Sequence, residues 1–252
     1  MRSTQRLAKL IFGAVVVCAA LVLPASYAPP AIAAADRLPD LGMAYPADFR
    51  VERSADGRRL LRFSSIVVNV GAGPFELHGQ RATGSSTMSI RQRIVDDSGG
   101  FRDIATPASA YFAGDGHSHW HVTNLQDFEL IRLDNGRLVG TGAKQGFCFY
   151  DNYRYGSVNP AYYTAAGGAC GSSASDTSTR MGLSVGWGDI YGYTLPDQFI
   201  DISSLSPGRY RLYVTADADD WFQEQNNQNN RTWVDLQLQA NKVKVTSFGP
   251  RI

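Results

Sequence analysis

Hydrophobic and polar positions along this chain alternate in short bursts separated by turn-forming residues, and no stretch carries a sustained helical period. Residues 60–70 (LLRFSSIVVNV) form a β-branched and aromatic run that stops at Gly71-Ala72-Gly73-Pro74, and residues 75–78 read as the start of its partner strand. Residues 127–133 and 137–142 flank Asp134-Asn135-Gly136, whose Asn-Gly pair predicts a hairpin, entered by the histidine run at 117–121. The cleanest alternation lies in residues 208–216 (GRYRLYVTA) and 232–238 (TWVDLQL), joined by a polar stretch over 223–231. Those two segments predict a sandwich hairpin with one buried face. Residues 151–189 differ: they are rich in Gly, Ser, Tyr and Asn and have little periodicity, so they read as a long functional loop. The expected fold is all-β, a sandwich-like antiparallel domain with a long irregular loop region. With no internal repeat or linker, residues 36–252 read as one domain.

The first 35 residues are of another kind. Arg2, Arg6 and Lys9 precede an apolar run over 10–23, and small residues around Ala31 to Ala35 offer cleavage positions, the pattern of a secretory signal peptide. The apolar run is short for a membrane span, and nothing later resembles one, so an exported chain without stable membrane insertion is expected. Removing the signal changes 24 basic against 23 acidic residues into 21 against 23, a net charge of about −2. That balance argues against nucleic acid as a partner, because nucleic-acid binders carry a basic patch or stripe. It is compatible with cationic substrates. Cys18 falls in the signal, leaving Cys148 and Cys170. In an oxidising compartment an even pair is most simply a disulfide, worth about 3 kcal/mol in the chain-entropy model for a loop of this size. Two thiolate metal ligands are the rival reading.

Candidate metal chemistry is concentrated in one place. His117, His119 and His121 are three of the chain's four histidines and alternate within five residues. On a strand, residues two apart share a face, so all three imidazoles would project the same way. Imidazole is the commonest metal ligand near neutral pH. The outer pair would lie roughly 13 Å apart on a regular strand, so the strand must bend for all three to meet one ion, and Asp115-Gly116 offers a place for that. The spacing alone separates neither copper from zinc nor a metal site from a solvated histidine ladder. A hydrolytic zinc centre with an open position for water is also compatible with it.

Around these histidines the chain resembles the lysyl oxidase family, copper amine oxidases that build a quinone cofactor from their own Lys and Tyr. The resemblance is carried by Leu60-Leu61-Arg62-Phe63, by the H-x-H-x-H run, and by Lys144-Gln145-Gly146-Phe147-Cys148. It continues through Gly186-Trp187-Gly188-Asp189-Ile190-Tyr191-Gly192, residues 198–202 (QFIDI) and 206–210 (SPGRY). It implies that His117, His119 and His121 bind copper and that Lys144 and Tyr191 form lysine tyrosylquinone, Tyr193 being the nearby competitor for the tyrosine. The implied activity oxidises primary amines, peptidyl lysine among them, to aldehydes with dioxygen, releasing ammonia and hydrogen peroxide. The protein's part in such chemistry is to place and tune the cofactor.

The same resemblance places a calcium site at Asp40, Leu41, Glu224, Asn226, Asn229 and Asn230, whose oxygens are the hard ligands calcium prefers. Asn226 stands where the family pattern has an aspartate, and a polar hairpin turn is the plainer reading of the Asn-rich segment. Asp115, Asp127 and Asp189 are each near enough in sequence to serve as the proton-abstracting base. His78 reads as structural. The alternative function is a secreted, non-catalytic copper- or zinc-binding β-sandwich that keeps the histidines without turnover.

Overall fold

A computed structural model of the chain describes residues 34–114 and 118–252. The signal-peptide segment up to residue 33, together with Asp115, Gly116 and His117, lies outside the described residues. Strands run in chain order as β1 (Asp36–Arg37), β2 (Leu41–Met43), β3 (Ala47–Arg53), β4 (Arg59–Asn69), β5 (Phe75–Gln80), β6 (Thr87–Asp96), β7 (Phe101–Phe112), β8 (Trp120–Thr123) and β9 (Gln126–Arg132). They continue as β10 (Leu138–Thr141), β11 (Gly146–Phe147), β12 (Tyr153–Arg154), β13 (Ser178–Leu183), β14 (Trp187–Tyr191), β15 (Phe199–Asp201), β16 (Gly208–Ala216), β17 (Arg231–Leu238) and β18 (Val243–Phe248). All pairings are antiparallel and no helix occurs among the described residues, so the chain is the all-β, sandwich-like domain its alternation predicts.

Three sheets result: β11-β8-β7-β6-β5-β13 with β1 on β6; β10-β9-β16-β17-β18; and β12-β14-β4-β15, with β2 and β3 on the other side of β4. The eleven-residue β4 holds the third sheet together because both its faces are covered. Leu61, Phe63 and Val67 point into the main core, while Ile66 and Val68 pack a smaller cluster with Ala44, Tyr153 and Ile190. A strand buried on both faces reads as a continuous apolar run rather than an alternation, which is the pattern of its sequence. Phe63 meets Phe128 of β9 edge to face at 5.1 Å, tying the third sheet to the second. Burial of each such side chain contributes about 1.5–3 kcal/mol.

The hairpins β9–β10 and β16–β17 form as expected, with Gly136 at φ +69° in the first turn, a left-handed conformation that suits glycine. Three expectations need correction. The segment after Pro74 is not the partner of β4: β5 pairs with β6 and β13, and β4 pairs with β2, β3, β14 and β15. The histidine run does not feed the β9–β10 hairpin as one sheet, because β8 belongs to the first sheet. The irregular stretch over 151–189 also carries β12, β13 and most of β14, its alternation obscured by Gly182, Gly186 and Gly188.

The remaining loop is pinned internally. Asp151 is buried, and its carboxylate accepts from the backbone N–H groups of Tyr162, Tyr163 and Ser184 and from the Ser184 hydroxyl. The expected disulfide is present: Cys148 and Cys170 are bonded, with Cα atoms 5.7 Å apart.

Candidate active site

Pairing between β8 and β11 brings the histidine arm to the lysine. Gly146 faces Thr123 and Phe147 faces Val122. A side chain at Gly146 would collide with the Tyr111 hydroxyl and the His121 Cβ, at 2.1 and 2.9 Å from its Cβ, so glycine is what lets β11 approach. Upstream, the backbone is held on both sides of Lys144: Ala143 N–H donates to Phe199 O, and Gln145 O accepts from Asn124 N–H. Lys144 is 5% exposed, and its Nζ sits 5.4 Å from the Phe147 ring centre and 5.5 Å from that of Tyr191. An ammonium between two ring faces gains cation–π attraction that offsets part of its desolvation.

Tyr191 comes from β14, opposite Ser65 of β4. It is buried, meets Phe147 edge to face at 5.2 Å, and donates its hydroxyl proton to Cys148 O at 2.6 Å. Asp189 lies two residues earlier and therefore on the same face of the strand. Burial, with the Asp189 charge beside it, pushes the Tyr191 hydroxyl well above its ordinary range. Burial likewise raises the Asp189 carboxyl, which the hydroxyl of Tyr191, the amide of Asn152 and the charge of Lys144 only partly counter.

His119 stands in a bend just before β8, and His121 follows on the strand, 2% exposed. The bend brings their ring centres to 4.8 Å, closer than regular i, i+2 neighbours on a strand. Both line a cavity of about 310 Å³ with Lys144, Tyr191, Asp189 and Tyr150. The cavity's rim at Thr194 and Leu195 is tied down by Arg62, whose guanidinium donates to Tyr193 O at 3.0 Å and Leu195 O at 3.1 Å. Two imidazoles set side by side in a partly apolar cavity are a donor set that suits copper or zinc. Among the described residues no group of three His, Cys, Asp or Glu side chains is clustered for a metal, and His117 lies outside them.

The disulfide braces both arms. Trp120, between the two histidines, donates its backbone N–H to Cys170 O at 2.9 Å, while Cys148 O receives Tyr191. Tyr193 lies outside the cavity lining, with Arg50 stacked on it at 4.5 Å. Asp127 is exposed, accepts its neighbour Phe128's N–H and lines a different depression with Gln145 and Asp219. His78 is paired with Glu76 at 2.5 Å on β5.

The sequence reading missed Asn152. Its side-chain carbonyl accepts Ile190 N–H at 2.8 Å, and its side-chain N–H₂ donates to Asp189 Oδ1, so one amide fixes two consecutive residues of β14. A lone Asn in an irregular segment carries no signal of this; it becomes visible once β12 pairs with β14.

A second cluster closes the start of β2 against the 224–230 turn. Glu224 accepts the Leu41 backbone N–H and the Asn230 side-chain N–H₂, the latter at 2.9 Å, and Asn229 donates to Asp40 at 2.8 Å. The amide oxygens of Asn229 and Asn230 are buried with no hydrogen-bond partner among the described residues. Burial, with Asp217 and Asp40 nearby, pushes the Glu224 carboxyl up to about 8. Asn226 is exposed and accepts Gln228 N–H, so it stands apart from the other five.

The β-fold thus sets a buried Lys–Tyr pair beside two imidazoles in one cavity. The family model described as Lysyl oxidase matches residues 98–248, more than half of the chain, and the protein belongs to the lysyl oxidase family. It is similar to lysyl oxidase homolog 3A of Danio rerio, 28% identical over 157 residues covering 62% of this chain and 16% of that protein. Lysyl oxidase homolog 3 of Homo sapiens is 26% identical over 162 residues, covering 64% and 16%. Lysyl oxidase homolog 2 of Bos taurus is 26% identical over 163 residues, again covering 64% and 16%. The chain thus spans about one sixth of the length of the curated relatives it matches.

Proposed function

We propose that this chain is a secreted copper-dependent amine oxidase that converts primary amines, including peptidyl lysine, to aldehydes with release of ammonia and hydrogen peroxide. In this reading residues 1–35 are removed as a signal peptide and residues 36–252 act as a single catalytic domain. Lys144 and Tyr191 form the lysine tyrosylquinone crosslink, and His117, His119 and His121 hold copper. The observation that carries the reading is the approach of Lys144 Nζ to 5.5 Å from the Tyr191 ring centre inside a cavity shared with His119 and His121. A buried lysine aimed at a buried tyrosine has no packing advantage over an apolar pair, since its charge must be desolvated.

Bound copper, with dioxygen, would supply the oxidising power that converts the tyrosine ring into the crosslinked quinone. The chain's own residues do the rest. The Cys148 carbonyl and the Phe147 ring fix the orientation of the Tyr191 ring, and the Ala143 and Gln145 backbone bonds fix the base of Lys144. Tyr150, Ile190 and Leu195 give the cavity an apolar wall suited to an alkyl arm. Asp40, Leu41, Glu224, Asn229 and Asn230 fit a calcium ion, because two buried amide oxygens there lack donors and a hard cation takes such oxygens. That ion would clamp the start of β2 to the turn before β17.

Peptide mapping and intact mass after aerobic copper loading test the reading. We expect a covalent Lys144–Tyr191 peptide with amine-dependent peroxide release, both absent from Lys144→Ala and Tyr191→Phe. A folded, copper-loaded chain without that crosslink would reduce the protein to a metal-binding β-sandwich.

A further inference from the structure

We infer that Asp189 is the group that takes the substrate's α-proton, and that Asn152 is the positioning residue that aims it. The inference rests on the amine oxidase reading and prefers Asp189 to Asp127 among the carboxylates that sequence left open. Asp127 faces another depression and accepts the N–H of its neighbour Phe128. Asp189 is 1% exposed and lines the cavity that holds Lys144 and Tyr191.

Its two oxygens are unequal. Oδ1 accepts from Asn152, whereas Oδ2 is buried with no hydrogen-bond partner among the described residues. The Tyr191 hydroxyl lies beside the carboxyl and donates its proton to Cys148 O at 2.6 Å. A buried carboxyl oxygen left without a donor costs free energy, and such a cost is concentrated at functional sites. The ionisable groups facing Asp189 are Lys144, Tyr191 and Asp151, with Tyr150, His119 and His121 elsewhere on the cavity wall. Burial holds the carboxyl well above the usual carboxylate range, which moves it toward the basicity a proton acceptor needs.

In the step assigned to it, the C–H bond α to the substrate nitrogen breaks. Asp189 takes the proton on Oδ2, and the electron pair would pass to the quinone that Lys144 and Tyr191 would hold, which would supply the two-electron oxidant of the proposed reaction. Dioxygen is the final electron acceptor.

The experiment uses the copper-loaded protein, phenylhydrazine as a carbonyl probe, and a simple alkylamine with or without deuterium on its α-carbon. Asp189→Asn is expected to form the Lys144–Tyr191 crosslink and take up phenylhydrazine as wild type does. Its kcat is expected to fall about a thousandfold, the scale of a lost acid–base group, with KM changed by only a few-fold. In Asp189→Glu, which keeps the carboxylate, most of that loss is expected to return, with a full α-deuterium isotope effect. Asn152→Ala removes a donor that stabilises the ionised carboxyl, so the rising limb of its pH–rate profile is expected to move to higher pH. Crosslinked Asp189→Asn that turns over within tenfold of wild type overturns the inference. So does Asp189→Asn that never crosslinks, since the residue would then serve cofactor formation. Wild type that neither crosslinks nor takes up the probe would instead overturn the amine oxidase reading itself.

Discussion

Asp189 is buried and Glu224 half-buried, and burial is the chief cause of the raised proton affinity of both carboxyls, yet their surroundings are opposites. Both oxygens of Glu224 are occupied, by Leu41 N–H and Asn230, and the unmet atoms beside it are the amide oxygens of Asn229 and Asn230. At Asp189 the unmet atom belongs to the carboxyl itself and the neighbours are rings and an amine. An excess of oxygen acceptors around a carboxyl asks for a cation. A single carboxyl oxygen without a hydrogen-bond partner, on a residue that lines the cavity, asks for a proton. Raised proton affinity alone would not have told the two apart.

The comparison can be broken from either end. The largest effect expected is the thousandfold loss of kcat in Asp189→Asn with its thermal midpoint nearly unchanged; a collapse in Tm instead would make Asp189 a structural residue like any other. Next, replacing Cys148 and Cys170 together by Ser should cost about 3 kcal/mol by the chain-entropy estimate for a loop of 22 residues, read from denaturant unfolding.

Calcium comes third, with about 2.7 kcal/mol of added stability at a hundredfold excess over its dissociation constant. Its sign with pH follows from Glu224. The folded-state value of about 8 exceeds the ordinary 4.5, so without the ion stability is greatest below pH 4.5 and declines as pH rises towards 8. The ion displaces that proton, so its gain in Tm should be larger at pH 8 than at pH 5, and Glu224→Gln should abolish it. Equal gains at both pH values would place the ion elsewhere. The smallest effect is expected from Asp127→Asn: exposed and remote from the cavity, it should leave stability within about 0.5 kcal/mol and kcat unchanged.

The fold class was legible because most strands have one wet face. Tyr210, Leu212 and Val214 of β16 are buried and alternate with residues that are not, and β17 answers them in register. The β6–β7 hairpin had the same signal, with Met88, Ile90, Gln92 and Ile94 buried at every second position, and the sequence reading passed over it because Gln92 breaks the apolar series. Gln92 is buried because its amide bridges to the backbone of Gln223. Strand partners were not legible: nothing local in residues 60–78 says that β4 and β5 enter different sheets. At the site, the histidines, Lys144 and Tyr191 could be named from resemblance. The roles of Asn152 and of the unpartnered Asp189 oxygen exist only once β12, β14 and the cavity are assembled.

The Cys148–Cys170 bridge carries one more consequence, concerning time rather than geometry. Its two backbone carbonyls hold the tyrosine on one side and the tryptophan between the histidines on the other. Reduction of the bridge would therefore loosen the tyrosine and the tryptophan between the histidines together. On the amine oxidase reading proposed above, a chain kept in a reducing compartment would carry Lys144 and Tyr191 without the brace that holds them in register, and the redox state of its surroundings would set when the cofactor could form.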